Sequence, residues 1–238
     1  MTDTPADLLI YGSPVSPFVR KVLAFTVAKG AAFDIEPVNI MSPPEWFPEI
    51  SPMKRIPVLR DRTIGEEGAA GTIADSSAIC AYLEKKHPEP ALYPQEPFAH
   101  GRALFLEEYA DTVLAPAVGL GIFRPIFFSI VQGKEADLDT AKQAWAEKVP
   151  AALDYLEGAL SENGGDGEFF AGGAVSIADI AVTCCFMQAS LVAETPLDAW
   201  PALARHQAAM SAHPIIAGPY AKADSFIRKA LPERFDLA

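Results

Sequence analysis

Cysteine is scarce in this chain, and no metal-binding motif is present. Only three of its 238 residues are cysteine, Cys80, Cys184 and Cys185, and all three lie in apolar sequence. An odd number with two of them adjacent is typical of reduced core residues rather than of a disulfide framework. The four histidines are scattered, and neither CxxC nor HExxH spacing occurs. We therefore expect no metal, and the reduced cysteines favour a cytoplasmic protein.

Positive charge and long apolar runs are also in short supply. The 19 Lys and Arg residues face 31 Asp and Glu residues, which gives a formal net charge of −12. General nucleic-acid binding requires a basic stripe, and none is present. No uninterrupted apolar run reaches the roughly 18–20 residues that a membrane helix needs, and residues 1–7 lack the basic start of a secretory signal. Neither a nucleic-acid nor a membrane partner is expected.

Proline is abundant, and its distribution divides the chain. The 21 prolines amount to about 9% of the residues against a usual ~5%. Apolar runs and turn residues over 1–87 predict strand, helix, strand and then strand, strand, helix. The proline-rich stretch 88–98 is the candidate linker, and spacings near three and four over 99–238 predict helices, the first of them over 99–112. The expected architecture is an α/β domain followed by an all-helical domain.

The junction between the first strand and the first helix carries the strongest candidate for chemistry. Ser16 lies there, with Pro17 as the first helical residue. A helix start exposes unpaired N–H groups and a partial positive charge, which together stabilise an anion. A serine hydroxyl held there can donate to a thiolate of a ligand and lower the thiol pKa from about 8.5 towards neutrality. The alternative is that Ser-Pro is a structural N-cap and nothing more.

Two downstream features favour the functional interpretation of Ser16. Ile56-Pro57 falls in a strand predicted over 55–60, where proline is excluded unless the strand is an edge or the peptide bond is cis. A cis bond would leave the backbone of Ile56 free to pair with an extended peptide. Asp75 and Ser76 open another helix, whose N–H groups can hold a carboxylate while Asp75 holds an amine.

In this order and spacing the motifs resemble the glutathione transferase superfamily over nearly the whole chain. The segments are 11–22, 51–59, 74–79 and 176–179, which read YGSPVSPFVRKV, SPMKRIPVL, ADSSAI and SIAD. The last of them is a capping box that leads into a buried helix. The resemblance implies a thioredoxin-like N-terminal domain, an all-helical bundle as the C-terminal domain, a homodimer, and glutathione as co-substrate.

The resemblance to the serine-type classes (phi, tau and theta) places Ser16 where a hydroxyl binds the glutathione sulfur. Omega-like relatives carry a cysteine before Pro-Phe at this position, so the serine argues against thiol–disulfide exchange. Tyr11 is the alternative, because mu-, pi- and alpha-type relatives use a tyrosine at the end of the first strand. A tyrosine at the end of a strand is more often structural, and Ser16 is preferred.

The same resemblance assigns the rest of the glutathione site. Ile56 would pair through its backbone with the cysteinyl unit, before a cis Pro57. Asp75 and Ser76 would bind the γ-glutamyl end, and Arg55 would face the glycyl carboxylate, which suits a fork-shaped cation. Many relatives also carry a basic residue near position 42, which is absent here, and the hairpin between the third and fourth strands is longer than usual.

A pocket for the second substrate is predicted from aromatic residues of the helical domain together with one serine of the first domain. The candidates are Tyr109, Phe123 and Phe127, with Ser13, because pockets for apolar ligands are rich in aromatic side chains. The alternative is that aromatic residues at helical spacing form the core. The sequence does not decide between the two.

The resemblance implies a glutathione transferase whose thiolate attacks a small hydrophobic electrophile. One alternative is a glutathione-dependent isomerase or dehalogenase, which shares the first site and differs in what the second pocket admits. Another is a binding protein that keeps the fold and has lost turnover. The retention of Ser16, Ile56-Pro57 and Asp75-Ser76 together argues against the binding protein.

Overall fold

The computed structural model describes residues 5–162 and 168–237. By its internal packing the chain divides into two compact units, Met1–Pro90 and Ala91–Ala238. The first unit is built on a sheet, and the described part of the second is helical. This arrangement matches the expected order of an α/β domain before a helical one.

The described part of the first unit contains a four-stranded mixed sheet and three helices. In chain order these are β1 (Leu8–Tyr11), α1 (Pro17–Ala28), β2 (Phe33–Glu36), α2 (Phe47–Ile50), β3 (Val58–Asp61), β4 (Thr72–Ile73) and α3 (Ser76–Lys86). The strand order is β2-β1-β3-β4. Strand β1 runs parallel to β2 and antiparallel to β3, and β3 runs antiparallel to β4. The strand–helix–strand unit and the following strand–strand–helix unit are the order that the sequence predicts.

Alternation along β1 gives the sheet two apolar faces. Leu9 and Tyr11 pack against Phe47 and Ile50 of the short helix α2. Leu8 and Ile10 belong to the other set of alternating positions and are also buried. Helices α1 and α3 pack against each other. Strand β1 is therefore buried on both faces up to the loop that follows it.

The buried carboxylate of Asp61, at the end of β3, is the centre of a polar network. It accepts hydrogen bonds from Thr63 N at 2.9 Å and from the hydroxyls of Thr63 and Tyr82 at 2.5 Å, and it pairs with Lys86. Burial alone would raise the pKa of Asp61. The hydrogen bonds from Lys86, Thr63 and Tyr82 outweigh burial and hold that pKa well below its usual range. The network ties α3 to β3.

This network should make stability fall in acid. The pKa of Asp61 is lower in the folded than in the unfolded chain, so its stabilisation is present above about pH 4, the ordinary range of an aspartate, and is lost as the pH falls further. We expect urea denaturation to show that Asp61→Asn destabilises the protein at neutral pH and that the difference from wild type shrinks in acid. A difference that stays constant with pH would contradict this assignment.

The described part of the second unit contains five helices. They are α4 (Pro97–Val131), α5 (Leu138–Gln143 continuing through Ala144–Lys148 and Val149–Glu162), α6 (Ile177–Ser190), α7 (Pro201–Ala212) and α8 (Pro214–Ile227). Helix α6 is buried along nearly its whole length and packs against α4 and α7. It is the centre of the helical unit.

Helix α4 is longer than the sequence predicts. The expected helix over 99–112 continues to Val131, past Pro116 and Pro125. A proline lacks an N–H and its ring crowds the carbonyl four residues earlier, which normally ends a helix. Here the turns over 110–114 and 119–128 widen to π-helical geometry, and a wider turn changes which carbonyl each N–H faces. The helix therefore carries both prolines without ending.

One helix in the described part of the chain, α4, is long and apolar enough to cross a membrane by length and composition alone. Within the protein 44% of its most apolar window is buried, and the helix packs along α6. A core helix meets the same two criteria, so length and composition do not by themselves assign α4 to a membrane.

Candidate active site

Ser16 is the N-cap of helix α1. Its backbone is extended, with φ −72° and ψ 131°, and Pro17 occupies the first helical position. The half-buried hydroxyl oxygen accepts a long hydrogen bond of 3.5 Å from Val19 N. A serine hydroxyl has one proton to donate as well as its acceptor lone pairs. Within residues 5–162 and 168–237 that proton has no acceptor, so Ser16 can donate to a ligand while it caps the helix.

The loop that carries Ser16 is closely packed against α1. Gly12 has φ +155°, which side chains with a Cβ rarely adopt, and a Cβ there would lie 2.6 Å from Val19 Cγ2. The Gly12 N–H donates to the carbonyl oxygen of Glu36 in β2 at 3.0 Å. A glycine is therefore required where β1 turns towards the helix.

Arg20 braces this loop from inside the protein. It is 1% exposed, and its Nη1 donates to the carbonyl oxygens of Pro14 and Val15 at 2.9 Å each. Sequence analysis did not identify Arg20. The sequence feature that could have identified it is the pair of cations Arg20-Lys21 within a predicted helix whose other residues are mostly apolar.

The neighbouring cation, Lys21, links α1 to the start of α3. It is also 1% exposed, and its Nζ donates to the hydroxyl of Ser77 at 3.1 Å. Ser77 follows the predicted binding residues Asp75 and Ser76. The link brings the first turn of α3 to the side of α1.

Tyr11 is buried at the end of β1 and is already engaged. Its hydroxyl oxygen accepts a hydrogen bond from Arg60 Nε at 3.2 Å. Its ring packs edge-on against Trp46, with centroids 5.6 Å apart. The same guanidinium donates to carbonyls of the long hairpin predicted between β3 and β4, at Gly68 (2.6 Å) and Ala70 (2.7 Å). Tyr11 thus serves as an acceptor in a structural network.

The Ile56-Pro57 peptide bond is cis, as the sequence suggested. The predicted strand over 55–60 is wrong at its start, because β3 begins at Val58. Pro57 therefore lies before the strand, where its missing N–H removes no ladder hydrogen bond. Ile56 is half-buried and packs against the apolar cluster that contains Tyr11.

Ser51 holds the backbone that leads to Ile56, and sequence analysis did not single it out for this role. It is 1% exposed, and its hydroxyl accepts from Arg55 N at 3.0 Å and donates to Arg55 O at 2.8 Å. Lys54 has φ +53°, an unusual conformation for a residue with a Cβ. The side chains of Lys54 and Arg55 are exposed. The chain is fixed here while both cations remain accessible.

Asp75 and Ser76 form the start of α3. Asp75 is the exposed N-cap, and its carboxylate accepts from Ala78 N at 2.9 Å. Ser76 is buried at the first helical position. The N–H groups of a first helical turn have no partner within the helix. This end of α3 can therefore receive a carboxylate, with Asp75 beside it as an acceptor for an amine.

The sheet brings these segments to one end of the first unit. Tyr11 pairs with Val58 across β1 and β3, so the loop that leaves β1 lies beside the residues that enter β3. A Cβ on Gly12 would lie 3.5 Å from Cβ of Ile56. Ala74, which leads into α3, packs on the same cluster as Ile56. The Ser16 loop, the cis-proline segment and the start of α3 are thus neighbours.

The residues predicted for a second-substrate pocket belong to both units, Ser13 to the first and the three aromatic residues to the second. Phe123 and Phe127 are 3% and 5% exposed, with ring centroids 5.2 Å apart. Tyr109 is half-buried and its ring packs against that of Tyr155, with centroids 4.6 Å apart and planes tilted by 36°. Burial, together with the neighbouring phenol of Tyr155, raises the pKa of Tyr109. Ser13 lies in the first unit, where its carbonyl oxygen accepts from the Ser16 N–H at 2.9 Å. The pocket itself stays a prediction.

Comparison with known proteins decides the family. The model of the glutathione S-transferase N-terminal domain matches residues 10–91, and the model of the C-terminal domain matches residues 122–223. An uncharacterised GST-like protein of Escherichia coli, YibF, is 30% identical over 175 residues, which cover 74% of this chain and 78% of YibF. The chain belongs to the glutathione transferase family.

Relatives with named activities differ from one another in chemistry. Mouse glutathione S-transferase omega-1 is 25% identical to this transferase-family chain over 162 residues, 67% of this chain and 60% of that protein. Mouse maleylacetoacetate isomerase is 28% identical over 170 residues, 69% of this chain and 68% of the isomerase. The matched region therefore spans less than two thirds of the omega-1 protein. Members of the family use glutathione as a substrate, and they include both transferases and isomerases.

Solved structures confirm the expected fold of this family member. Human glutathione S-transferase T1-1 without ligand superposes with a TM-score of 0.78 at 22% identity, covering 96% of this chain and 92% of that one. A glutathione S-transferase from Rhodospirillum rubrum gives a TM-score of 0.76 at 22% identity, covering 89% and 91%. A thioredoxin-like domain followed by a helical domain is common to them and to this chain.

Proposed function

We propose that this protein is a glutathione transferase in which the hydroxyl of Ser16 stabilises the glutathione thiolate. The observation that carries the proposal is the hydroxyl proton of Ser16, which has no acceptor in the part of the chain that the structure describes. This half-buried serine lies at the N-terminus of α1, beside the cis-proline segment. Both the hydroxyl and the helix terminus favour an anion at this point. No other residue is asked to take the thiol proton, which passes to solvent.

The rest of the tripeptide would lie along the end of the sheet. The backbone of Ile56, before Pro57, would pair with the cysteinyl unit in the manner of an added strand. The first turn of α3 would receive the γ-glutamyl carboxylate at Ser76, and Asp75 its amine. Arg55 is exposed and carries the fork of donors that a glycyl carboxylate requires.

The proposed reaction is a nucleophilic substitution or addition at carbon. The sulfur of the thiolate forms a bond to an electrophilic carbon of a small hydrophobic substrate. In a substitution, the leaving group departs with the electron pair of its bond; in an addition, the resulting carbanion takes a proton from solvent. Ser16 donates throughout and forms no covalent bond. Its contribution is a lowered thiol pKa, which raises the fraction of thiolate near neutral pH.

The position of Tyr11 supports Ser16 as the sulfur partner. The Tyr11 hydroxyl accepts from the buried guanidinium of Arg60, and its ring is packed among apolar residues of the sheet. The phenol, like the Ser16 hydroxyl, keeps a proton while it accepts. Tyr11, however, is only 7% exposed, whereas Ser16 is half-buried. Ser16 is therefore the more accessible of the two donors.

The contacts of the electrophile, the cellular location and the oligomeric state are proposed from the resemblance to the family. The electrophile would contact Ser13 and the aromatic residues Tyr109, Phe123 and Phe127. The protein would act in the cytoplasm as a homodimer, without a metal, a nucleic acid or a membrane as partner.

Two measurements test the proposed function. Calorimetry with glutathione should give a binding heat, and a panel of aryl halides, epoxides and unsaturated carbonyl compounds should react faster with enzyme and glutathione than with either alone. Each product formed should consume one glutathione. Absence of binding heat would favour a non-catalytic relative whose glutathione site is degraded, and it would overturn the proposal.

A glutathione-dependent isomerase is the second candidate. The match to mouse maleylacetoacetate isomerase over 68% of its length favours it, and the first half of the chemistry, addition of the thiolate to carbon, is the same. An isomerase releases glutathione again after the carbon–carbon bond has rotated. Turnover of a cis-dienone or cis-enone acid without loss of free thiol would therefore identify the isomerase.

A further inference from the structure

Arg20 is a buried cation to which the proposed reaction gives no task. It lies on α1, four residues after Ser16, and is 1% exposed. Most neighbouring positions of that helix are apolar and buried. Placing a guanidinium inside a protein is costly unless hydrogen bonds compensate for the lost water. The hydrogen bonds that its Nη1 makes therefore indicate a part of the structure that Arg20 holds.

Two of those contacts fall on the two peptide groups that lead into Ser16. Arg20 Nη1 donates to Pro14 O and to Val15 O, both at 2.9 Å. The carbonyl of Val15 is one half of the peptide bond to Ser16. Since a peptide group is planar, fixing its oxygen fixes the orientation of its N–H as well.

The N–H groups of the same two peptide groups are also hydrogen-bonded. Val15 N donates to Ser13 Oγ at 3.4 Å, and Ser16 N donates to Ser13 O at 2.9 Å. All four polar groups of the two peptide units thus have a partner. Arg20 supplies both partners on one side of the loop and Ser13 both on the other.

We propose that Arg20 is a positioning residue that fixes the backbone before Ser16 and so holds the Ser16 hydroxyl ready for the glutathione sulfur. The inference rests on the proposed function of Ser16. A hydrogen-bond donor stabilises a developing or resting anion most when it is preorganised and needs no rearrangement. Without Arg20, two carbonyls would lose their donor and the loop could adopt other conformations, in which the hydroxyl points elsewhere.

The test compares Arg20→Met, which keeps an unbranched apolar stem without a donor, with Arg20→Lys, which restores a donor. The ultraviolet absorbance of the thiolate, followed against pH, gives the pKa of bound glutathione. We expect Arg20→Met to raise this pKa towards the value of about 8.5 for a free thiol. We also expect it to lower kcat/KM with an aryl halide by about 10- to 100-fold, and Arg20→Lys to recover part of both effects.

Two further measurements separate positioning from a general structural role. The affinity for S-methylglutathione, whose sulfur cannot ionise, should stay within about threefold of wild type, since the groove is intact. The double variant Ser16→Ala with Arg20→Met should be no worse than Ser16→Ala alone, because Arg20 acts through that hydroxyl. The matched control is Arg228→Met, which removes a half-buried arginine at the end of α8 that donates to the carbonyl oxygen of Leu191. This variant should alter neither the pKa of bound glutathione nor kcat/KM.

The outcomes distinguish this inference from the proposed function. If Ser16→Ala leaves the thiol pKa unchanged, the proposed function fails. If Ser16→Ala raises the pKa and Arg20→Met does not, only the role of Arg20 is rejected. Losses that multiply in the double variant, or equal losses of S-methylglutathione binding and activity, would also reject it. Failure of both Arg20 variants to fold would assign the residue to folding and overturn the inference.

Discussion

Replacement of Ser16 by alanine is expected to lower kcat/KM with glutathione and an aryl halide by about 100- to 1,000-fold, the usual cost of losing one preorganised donor to an anion. The physical reason is the loss of a single hydrogen bond to the thiolate. The pKa of bound glutathione should rise towards that of a free thiol, so the pH profile of kcat/KM should shift to higher pH. Steady-state kinetics over a range of pH would measure both effects.

The N-cap role of Ser16 must be separated from this effect. Alanine at an N-cap costs about 1 kcal/mol of stability, whereas glycine costs only a few tenths. Ser16→Gly should therefore lose activity as Ser16→Ala does while it remains nearly as stable as wild type. Ser16→Thr keeps both the cap and a hydroxyl and should retain most of the activity. In both variants the start of α1 keeps nearly its wild-type stability, while Ser16→Gly lacks the hydroxyl donor and Ser16→Thr retains it.

Tyr11→Phe provides the comparison with the other sulfur partner. It removes the acceptor of Arg60 Nε and should cost stability, because a buried charged donor is left unpaired. Its activity per folded molecule should remain close to that of wild type. A Tyr11→Phe protein without activity, beside an active Ser16→Ala protein, would reverse the assignment of the two residues.

Local pattern was enough to predict the strands and the two longer helices of the first unit. The short apolar run before Gly12 and the alternation over 33–36 become β1 and β2. The polar starts at Ser16 and Asp75 become the N-caps of α1 and α3. Each of these signals lies within a few residues of the element it defines, which is why single-sequence analysis could use it.

Proline caused the two errors of element boundary. At Pro57 the predicted strand starts too early, because an apolar run does not show where ladder hydrogen bonds begin. At Pro116 and Pro125 the predicted helix ends too early, because wide turns allow α4 to continue. Both are cases in which tertiary packing decides between conformations that the local sequence leaves open.

The candidate site was predictable only where a side chain itself would touch the ligand. Ser16 and Asp75 have the residue type and helical position that ligand chemistry requires. Arg20 and Ser51 instead bind backbone carbonyls and N–H groups of nearby loops. Every residue offers such groups, so no sequence pattern marks the ones that are held. The support of the site could be found only in the structure.

Replacement of Asp179 by alanine is expected to have the largest effect on stability. Its carboxylate is fully buried and accepts from Phe170 N at 2.9 Å, Ser176 N at 2.8 Å, Ser176 Oγ at 2.7 Å and His206 Nε2 at 2.9 Å. Alanine leaves these donors buried without an acceptor, at about 1–3 kcal/mol each. Because a protein of this kind is stable by only about 5–15 kcal/mol, the variant should unfold at much lower urea concentration or fail to accumulate.

Graded variants show whether the buried carboxylate is the cause. Ser176→Ala removes one of the donors and a helix cap, and should cost only about 1 kcal/mol. Asp198→Ala removes an exposed aspartate of the same unit and should change the free energy of unfolding by less than about 0.5 kcal/mol. We expect the order Asp179→Ala, Ser176→Ala, Asp198→Ala from most to least destabilised. An Asp179→Ala protein as stable as Asp198→Ala would mean that the four donors find other partners, and that this network does not hold the helical unit together.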